Sequence, residues 1–190
     1  MGQFEYVTTL VSFVVAFGVA RLLAGWARQY ALRAQTRIYP LQVAASALLL
    51  IALLQSTWAF WIYRDITWTF LTFLGMLLTQ LALVGAAALI HPPDGHFSSI
   101  RDYYFDVRHA VFGLTAAWLA LGGVLAFFLR PSITVVASFE DVVAIRAASL
   151  CIFAVLAWSD RPAYHWVGFA ALAALQIWFV VSFTYDPTAA

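Results

Sequence analysis

The sequence predicts an all-α protein, an integral membrane bundle of six transmembrane helices that form a single domain over residues 1–190. Three observations support this class. Hydrophobic residues make up 64% of the chain and charged residues only 10%, whereas an ordinary soluble domain is roughly 25% charged. The mean hydropathy is +0.89. The apolar residues also fall into long stretches with short connections, so too few polar side chains remain to cover a water-exposed globule.

Six stretches are long enough to cross the hydrocarbon core of a bilayer, which takes about 20 helical residues. The predicted spans cover residues 5–27, 40–63, 68–90, 104–128, 139–158 and 162–184. The residues before the first span lack the basic region of a cleavable signal peptide, so this span is predicted to be a retained helix. The connections between the spans leave no room for a soluble domain.

Local signals mark several helix ends. Pro92 and Pro93 end the third span, because proline cannot continue a helix without losing a hydrogen bond. Ser99 followed by Asp102 predicts a cap, which starts the fourth helix in the interface, before its apolar part. Pro162 predicts the first turn of the sixth helix. These signals agree with the spans drawn from hydropathy.

Arginine placement predicts the orientation, since cytoplasmic connections carry an excess of positive residues. Seven arginines flank the first, third and fifth connections, namely Arg21, Arg28, Arg33, Arg37, Arg101, Arg108 and Arg161. The other three are Arg64, Arg130 and Arg146. The odd-numbered connections are therefore predicted to be cytoplasmic, and both termini periplasmic.

The charges also exclude some functions. The formal net charge is +1 and no basic run is present, which excludes a nucleic-acid footprint. Every positive residue is an arginine, so chemistry through a lysine imine is excluded. The single cysteine, Cys151, cannot form an internal disulfide. The expected surroundings are the lipid bilayer and other membrane-embedded chains.

One face of the fourth helix combines charged and small residues at steps of three and four, which keep them on one side. It comprises Asp102, Asp106, His109, Gly113, Ala116, Ala120 and Gly123. Small residues let another helix approach closely in lipid, so this face is predicted to turn inward against a neighbour. Asp106 is then expected to be ion-paired, with an arginine favoured over a metal, because an unpaired carboxylate there is costly.

Three further charges lie within or beside the spans. Arg21 is predicted to extend toward the cytoplasmic headgroups, as long basic side chains do near helix ends. Glu5 begins the first span, and Arg146 lies about 10 Å into the fifth, at 1.5 Å per residue. An intramembrane charge is a functional hypothesis by default. Arg146 either pairs with Glu5, Glu140 or Asp141, or reaches back to the outer interface.

A metal site is the principal alternative chemistry. The histidines His91, His96, His109 and His165 all fall on the predicted cytoplasmic side. Asp106 and His109 have the carboxylate-x-x-His spacing that helical bundles use for metals, although no second helix repeats it. Asp106, His109, His91 and His165 are therefore candidate ligands for a transition metal. Two of His91, His109 and His165 could instead hold haem b from different helices.

Several short motifs resemble an uncharacterised family of small bacterial multi-pass inner-membrane proteins. They are Phe4-Glu5-Tyr6-Val7, the block from Gly18 through Arg21 to Gly25, Trp68-Thr69-Phe70, Tyr103-Tyr104 with Arg108, and Phe112-Gly113-Leu114. The resemblance covers roughly residues 1–125. It implies a location in the bacterial inner membrane and supplies no activity.

The favoured function is a non-catalytic helical module without a cofactor, either channel- or transporter-like or an accessory subunit of a membrane complex. The alternative is a membrane redox protein that binds a transition metal or haem b. A homo-oligomer or a partner membrane subunit is expected, because the first span carries small residues on two faces. Gly18 and Gly25 lie on one of these faces, and Ala16 and Ala20 on the other.

Overall fold

The computed structural model describes residues 2–34, 37–93, 99–129 and 139–182, and within them it confirms the all-α prediction. Six helices are long and apolar enough to cross a membrane, so the chain is a multi-pass membrane protein. They are α1 (Gln3–Ala31), α2 (Pro40–Ala59), α3 (Phe70–Leu89), α4 (Ile100–Leu129), α5 (Phe139–Trp158) and α6 (Pro162–Ser182). A 3-10 turn, Phe60–Tyr63, extends α2.

The helices begin where local chemistry satisfies their first backbone N–H groups. Thr69 caps α3 by accepting a hydrogen bond from the Thr72 amide at 3.2 Å. The predicted cap of α4 is confirmed, since Ser99 Oγ accepts a hydrogen bond from the Asp102 amide at 3.3 Å. Pro40 and Pro162 open α2 and α6, where the missing proline N–H costs nothing.

Five helices form a closed ring, and the sixth lies outside it. Around the ring, α2 packs on α3, α3 on α4, α4 on α5, α5 on α6, and α6 returns to α2. Helix α1 packs against α2 and α3 from outside. We call the end of the ring that carries the α3–α4 and α5–α6 connections the basic end, and the opposite end the cavity end. The interior of this ring is where a site can form.

Helix α1 uses its glycine face within the chain. Gly18 is buried, and a Cβ atom placed on it would lie 3.0 Å from Val84 and 3.2 Å from Leu53. Ala16 and Ala20, on the other face, are exposed. The glycine face is therefore a packing seam between α1 and its neighbours α2 and α3. The homo-oligomer or partner subunit stays a prediction. Of the two small-residue faces of α1 that suggested it, the alanine face is the exposed one.

The predicted inward orientation of the Asp102–Asp106–His109 face of α4 is wrong within this chain, since all three residues are exposed. The buried residues of α4 are instead Ile100, Tyr103, Tyr104, Val111, Phe112 and Thr115. Large aromatic side chains bury far more area than glycine or alanine, so their contacts set the rotation of the helix about its axis. The step of three and four did not give the direction of this face: the Asp106 end is exposed, whereas Gly123 near the other end of the helix lies against Arg146.

Candidate functional site

Hydrogen bonds cross-link the basic end of the ring. The Tyr104 hydroxyl on α4 lies 2.6 Å from Nδ1 of His165 on α6. Nε2 of His165 lies 2.9 Å from the carbonyl oxygen of Ser159. A carbonyl only accepts, so Nε2 carries the proton and Nδ1 accepts the hydrogen bond that Tyr104 donates. Both side chains are fully buried, and they close this end of the ring.

Polar side chains of α1, α2 and α4 add further hydrogen bonds at the basic end. Gln42 of α2 donates a 2.6 Å hydrogen bond to the Ile90 carbonyl and accepts one from Gln29 of α1. Tyr103 donates to the Leu89 carbonyl at 2.7 Å. Amides and hydroxyls buried in apolar surroundings need such partners, because water is not there to replace them. These groups are therefore satisfied, whereas both ring nitrogens of His91 and Nε of Arg108 at the same end are buried without a hydrogen-bond partner among the described residues.

His91 follows α3 and packs its ring against α1. It is 6% exposed, and a Cβ atom on Gly25 would overlap the ring, so glycine is what allows the contact. Burial, together with the nearby Arg21 and Arg28 guanidinium groups, lowers the pKa of His91 to about 4. Since its ordinary value is about 6.5, His91 is neutral at pH 7.

The predicted metal ligands do not come together. Asp106 and His109 are exposed on α4, whereas His91 and His165 are buried. No three His, Cys, Asp or Glu side chains in the described part of the chain are placed to share a metal ion. Hydrogen bonds occupy both ring nitrogens of His165, so it has no free lone pair for iron. His96 lies outside the described residues.

The other predicted charges behave differently from one another. Arg21 is exposed, and its extension toward the headgroups stays a prediction. Glu5 accepts a 3.0 Å hydrogen bond from the Gly2 amide and so caps its own helix. An arginine–carboxylate pair does form at the basic end, but it joins Arg108 to Asp160 at 2.6 Å and not to the predicted Asp106.

A cavity of about 180 Å³ lies inside the cavity end of the ring, lined by residues of all five ring helices. Buried Phe153 and Leu172 line its inner part, whereas Val142 and Phe179 nearer the helix ends are partly exposed. Its polar lining comprises Gln55, Ser56, Tyr63, Thr79, Gln80, Arg146, Ser149 and Gln176. The lining residues toward the basic end are thus buried, and those nearer the opposite helix ends are partly exposed.

Arg146 is the only basic residue that lines this cavity among the described residues. Its guanidinium lies over Gly122 and Gly123 of α4, where a Cβ atom on Gly123 would come within 2.9 Å of Nη1. Nη1 is buried and has no hydrogen-bond partner in the described part of the protein. Of its predicted partners, Glu5 caps α1, Asp141 is exposed, and the side chain of Glu140 lies outside the described residues.

Gly122 and Gly123 do not interrupt α4, and their role lies in the space that they leave beside the helix. Helix α4 continues through Gly122 and Gly123 to Leu129. The absent side chains provide the space in which the Arg146 guanidinium rests against the α4 backbone. The arginine side chain is directed into the ring. Its Nη1 is buried, which disagrees with the alternative prediction that the side chain extends back to the outer interface.

The sequence analysis missed the three glutamines that line the cavity, Gln55, Gln80 and Gln176. Gln80 accepts a 3.1 Å hydrogen bond from Ser56, which joins α3 to α2. Oε1 of Gln176 is buried without a partner among the described residues. Amide side chains are rare in the middle of apolar spans, so their presence near the level of Arg146 was an available signal. Together, Arg146 and Gln176 present two unsatisfied polar groups to one cavity.

Compared with known proteins, the chain matches no family model, no curated protein and no solved structure. The resemblance to a bacterial inner-membrane family therefore stays a prediction. The geometry of the ring and its cavity carries the functional argument.

Proposed function

We propose that this protein is a non-catalytic, transporter-like membrane module that binds a small anion inside its five-helix ring. The observation that carries the proposal is Arg146, which lines a cavity of about 180 Å³ and whose Nη1 is buried without a hydrogen-bond partner among the described residues. Guanidinium groups remain charged in proteins. A buried charge without a counter-charge costs several kcal/mol, so an anion that enters the cavity gains a strong interaction.

The position of the cavity supports binding over a purely structural role. An ionisable residue that faces the interior of a membrane bundle is a functional-site hypothesis by default. Arg108 at the basic end forms an ion pair with Asp160, although its Nε is buried without a hydrogen-bond partner among the described residues. Arg146 rests instead on two glycines, and its Nη1 has no hydrogen-bond partner among the described residues.

We expect anions to raise the thermal midpoint of the purified protein in detergent. At 100 times the dissociation constant, a ligand of the native state stabilises it by about 2.7 kcal/mol. The panel is chloride, nitrate, acetate, benzoate, phosphate and sulfate at constant ionic strength. The Arg146→Met variant should lose every anion-dependent shift and, without anion, be at least as stable as the unmodified protein, because an unpaired buried charge is removed.

Arg33→Gln is the matched control, since Arg33 is exposed at the basic end and contacts only its neighbour Tyr30. This variant should keep the anion-dependent shifts. The proposal fails if no anion shifts the unmodified protein. It also fails if Arg146→Met destabilises the protein strongly, since that result would identify a structural arginine.

The proposal places the protein in the bacterial inner membrane with both termini in the periplasm, supported by the seven arginines that flank the odd-numbered connections. We expect a cysteine at Ala34, in a Cys151→Ser background, to resist an impermeant thiol reagent added to intact spheroplasts. A cysteine at Asp65, exposed after the 3-10 turn, should react. The reverse labelling pattern would invert the orientation, and the cavity end would then face the cytoplasm.

A further inference from the structure

We infer that the ligand of the Arg146 cavity is a monocarboxylate with a compact apolar body, about the size of benzoate. This inference rests on the proposed function and specifies the chemical class of the anion. Three properties of the cavity carry it: the charge and shape of its unsatisfied polar groups, the chemistry of its remaining lining, and its volume.

The charge favours a monoanion. Arg146 contributes one positive charge, and the chain contains no lysine that could add a second. A dianion such as sulfate would therefore leave a net negative charge in a low-dielectric site, which is costly. The planar guanidinium matches a carboxylate, with which it forms two parallel hydrogen bonds. Gln176, the other unsatisfied group, can donate to a carboxylate oxygen through its amide nitrogen, because Oε1 and Nε2 are interchangeable by a flip.

The remaining lining favours an apolar body. Much of the wall consists of large aliphatic and aromatic side chains, among them Phe60, Met76, Trp118, Leu119, Phe153 and Leu172. Apolar walls with a few convergent polar groups are typical of sites for small organic molecules. A fully hydrated inorganic ion would have to give up most of its water there, with few polar groups in exchange. An apolar body gains free energy from the same walls.

The volume limits the size of that body. The cavity measures about 180 Å³, and an engineered apolar cavity of about 150 Å³ holds one benzene molecule. A six-membered ring that carries one carboxylate, or a branched aliphatic acid of similar bulk, fits this space. Acetate would leave much of the apolar wall without contacts, and a long-chain fatty acid would project beyond the cavity.

The test is calorimetric titration of the purified protein in detergent with benzoate, acetate, benzamide and phosphate. Benzoate should bind at least tenfold more tightly than acetate, which lacks the ring, and than benzamide, which lacks the charge. Arg146→Met should weaken benzoate binding by roughly 10- to 100-fold, the range for a lost hydrogen bond to a charged group. The Arg146→Met protein also serves as the control for benzoate that partitions into the detergent micelles.

Gly123→Ala is a second variant that keeps the arginine. The added methyl group comes within 2.9 Å of Nη1 and displaces the guanidinium, so benzoate binding should weaken about tenfold while the protein stays folded. Gly113→Ala, on the exposed face of the same helix with nothing within 4 Å, should leave binding unchanged. If phosphate binds better than benzoate, or benzamide binds equally well, this inference is wrong and the anion-binding proposal must be judged by its own panel. If no anion binds at all, both fail.

Discussion

Replacing Gly25 with alanine is expected to destabilise the protein by about 2 kcal/mol, in the range measured for overpacked cores. The new Cβ atom would overlap the His91 ring and lie 2.8 Å from its Nδ1. The ring is only 6% exposed, so no open space is available for it to move into. Alanine in a helix normally stabilises by roughly 0.5–1 kcal/mol relative to glycine, so the steric clash reverses the usual sign.

Denaturant or thermal unfolding in detergent measures this effect. Gly113→Ala is the matched control, because its methyl group meets nothing within 4 Å and should give the ordinary small stabilisation. The Gly25→Ala/His91→Ala double variant should recover part of the loss, since removing the ring removes the clash. A Gly25→Ala protein as stable as the Gly113→Ala protein would show that α1 does not pack on His91 as described.

Lowering the pH from 7 to 4 is expected to remove about 3 kcal/mol of stability through His91 alone. Burial lowers the pKa of His91 to about 4 in the folded protein, and Arg21 and Arg28 act in the same direction. In the unfolded chain the pKa is about 6.5. The unfolded state therefore binds the proton first, and the stability present above pH 6.5 is lost as the pH falls toward 4.

The measurement is the free energy of unfolding of His91→Gln and of the unmodified protein between pH 7 and pH 4. Glutamine does not titrate, so the variant should lose less stability on acidification, by about 3 kcal/mol. His109→Gln removes an exposed imidazole and retains His91, so it should keep the acid sensitivity of the unmodified protein. Equal acid sensitivity in His91→Gln would contradict the buried, neutral state of His91.

Helix number and approximate bounds could be predicted because they depend on local properties: hydropathy over about 20 residues, prolines and caps. The Ser99 cap and Pro162 start are examples. The order of helices around the ring depends on side-chain shape over long sequence separations. Apolar residues surround most of these helices, so hydropathy does not mark an inward face. That is why the outward rotation of Asp106 was not predicted.

The candidate site was predicted only in part, again for physical reasons. Arg146 stood out because a charge inside a span is expensive wherever it points. Its environment could not be predicted, since the space that it occupies is created by Gly122 and Gly123 on another helix. The histidines suggested a metal site only because of their spacing in the sequence. The aromatic partner of His165, Tyr104, is 61 residues away in the chain and could not be identified from spacing.

Closure of the ring by α6 has a consequence for how the protein is assembled in the cell. Helices α1 to α3 share the hydrogen bonds of Trp26 with Ser46, Gln42 with Ile90, and Ser56 with Gln80, so they can associate as soon as all three are inserted. Helix α6, which follows the other five in chain order, then contacts both α5 and α2. The arginine on α5 thus meets an incomplete, lipid-accessible wall until α6 is inserted. The cavity is accordingly complete only once α6 is in place, and a chain truncated before α6 is expected to retain a hydrogen-bonded N-terminal unit without a cavity.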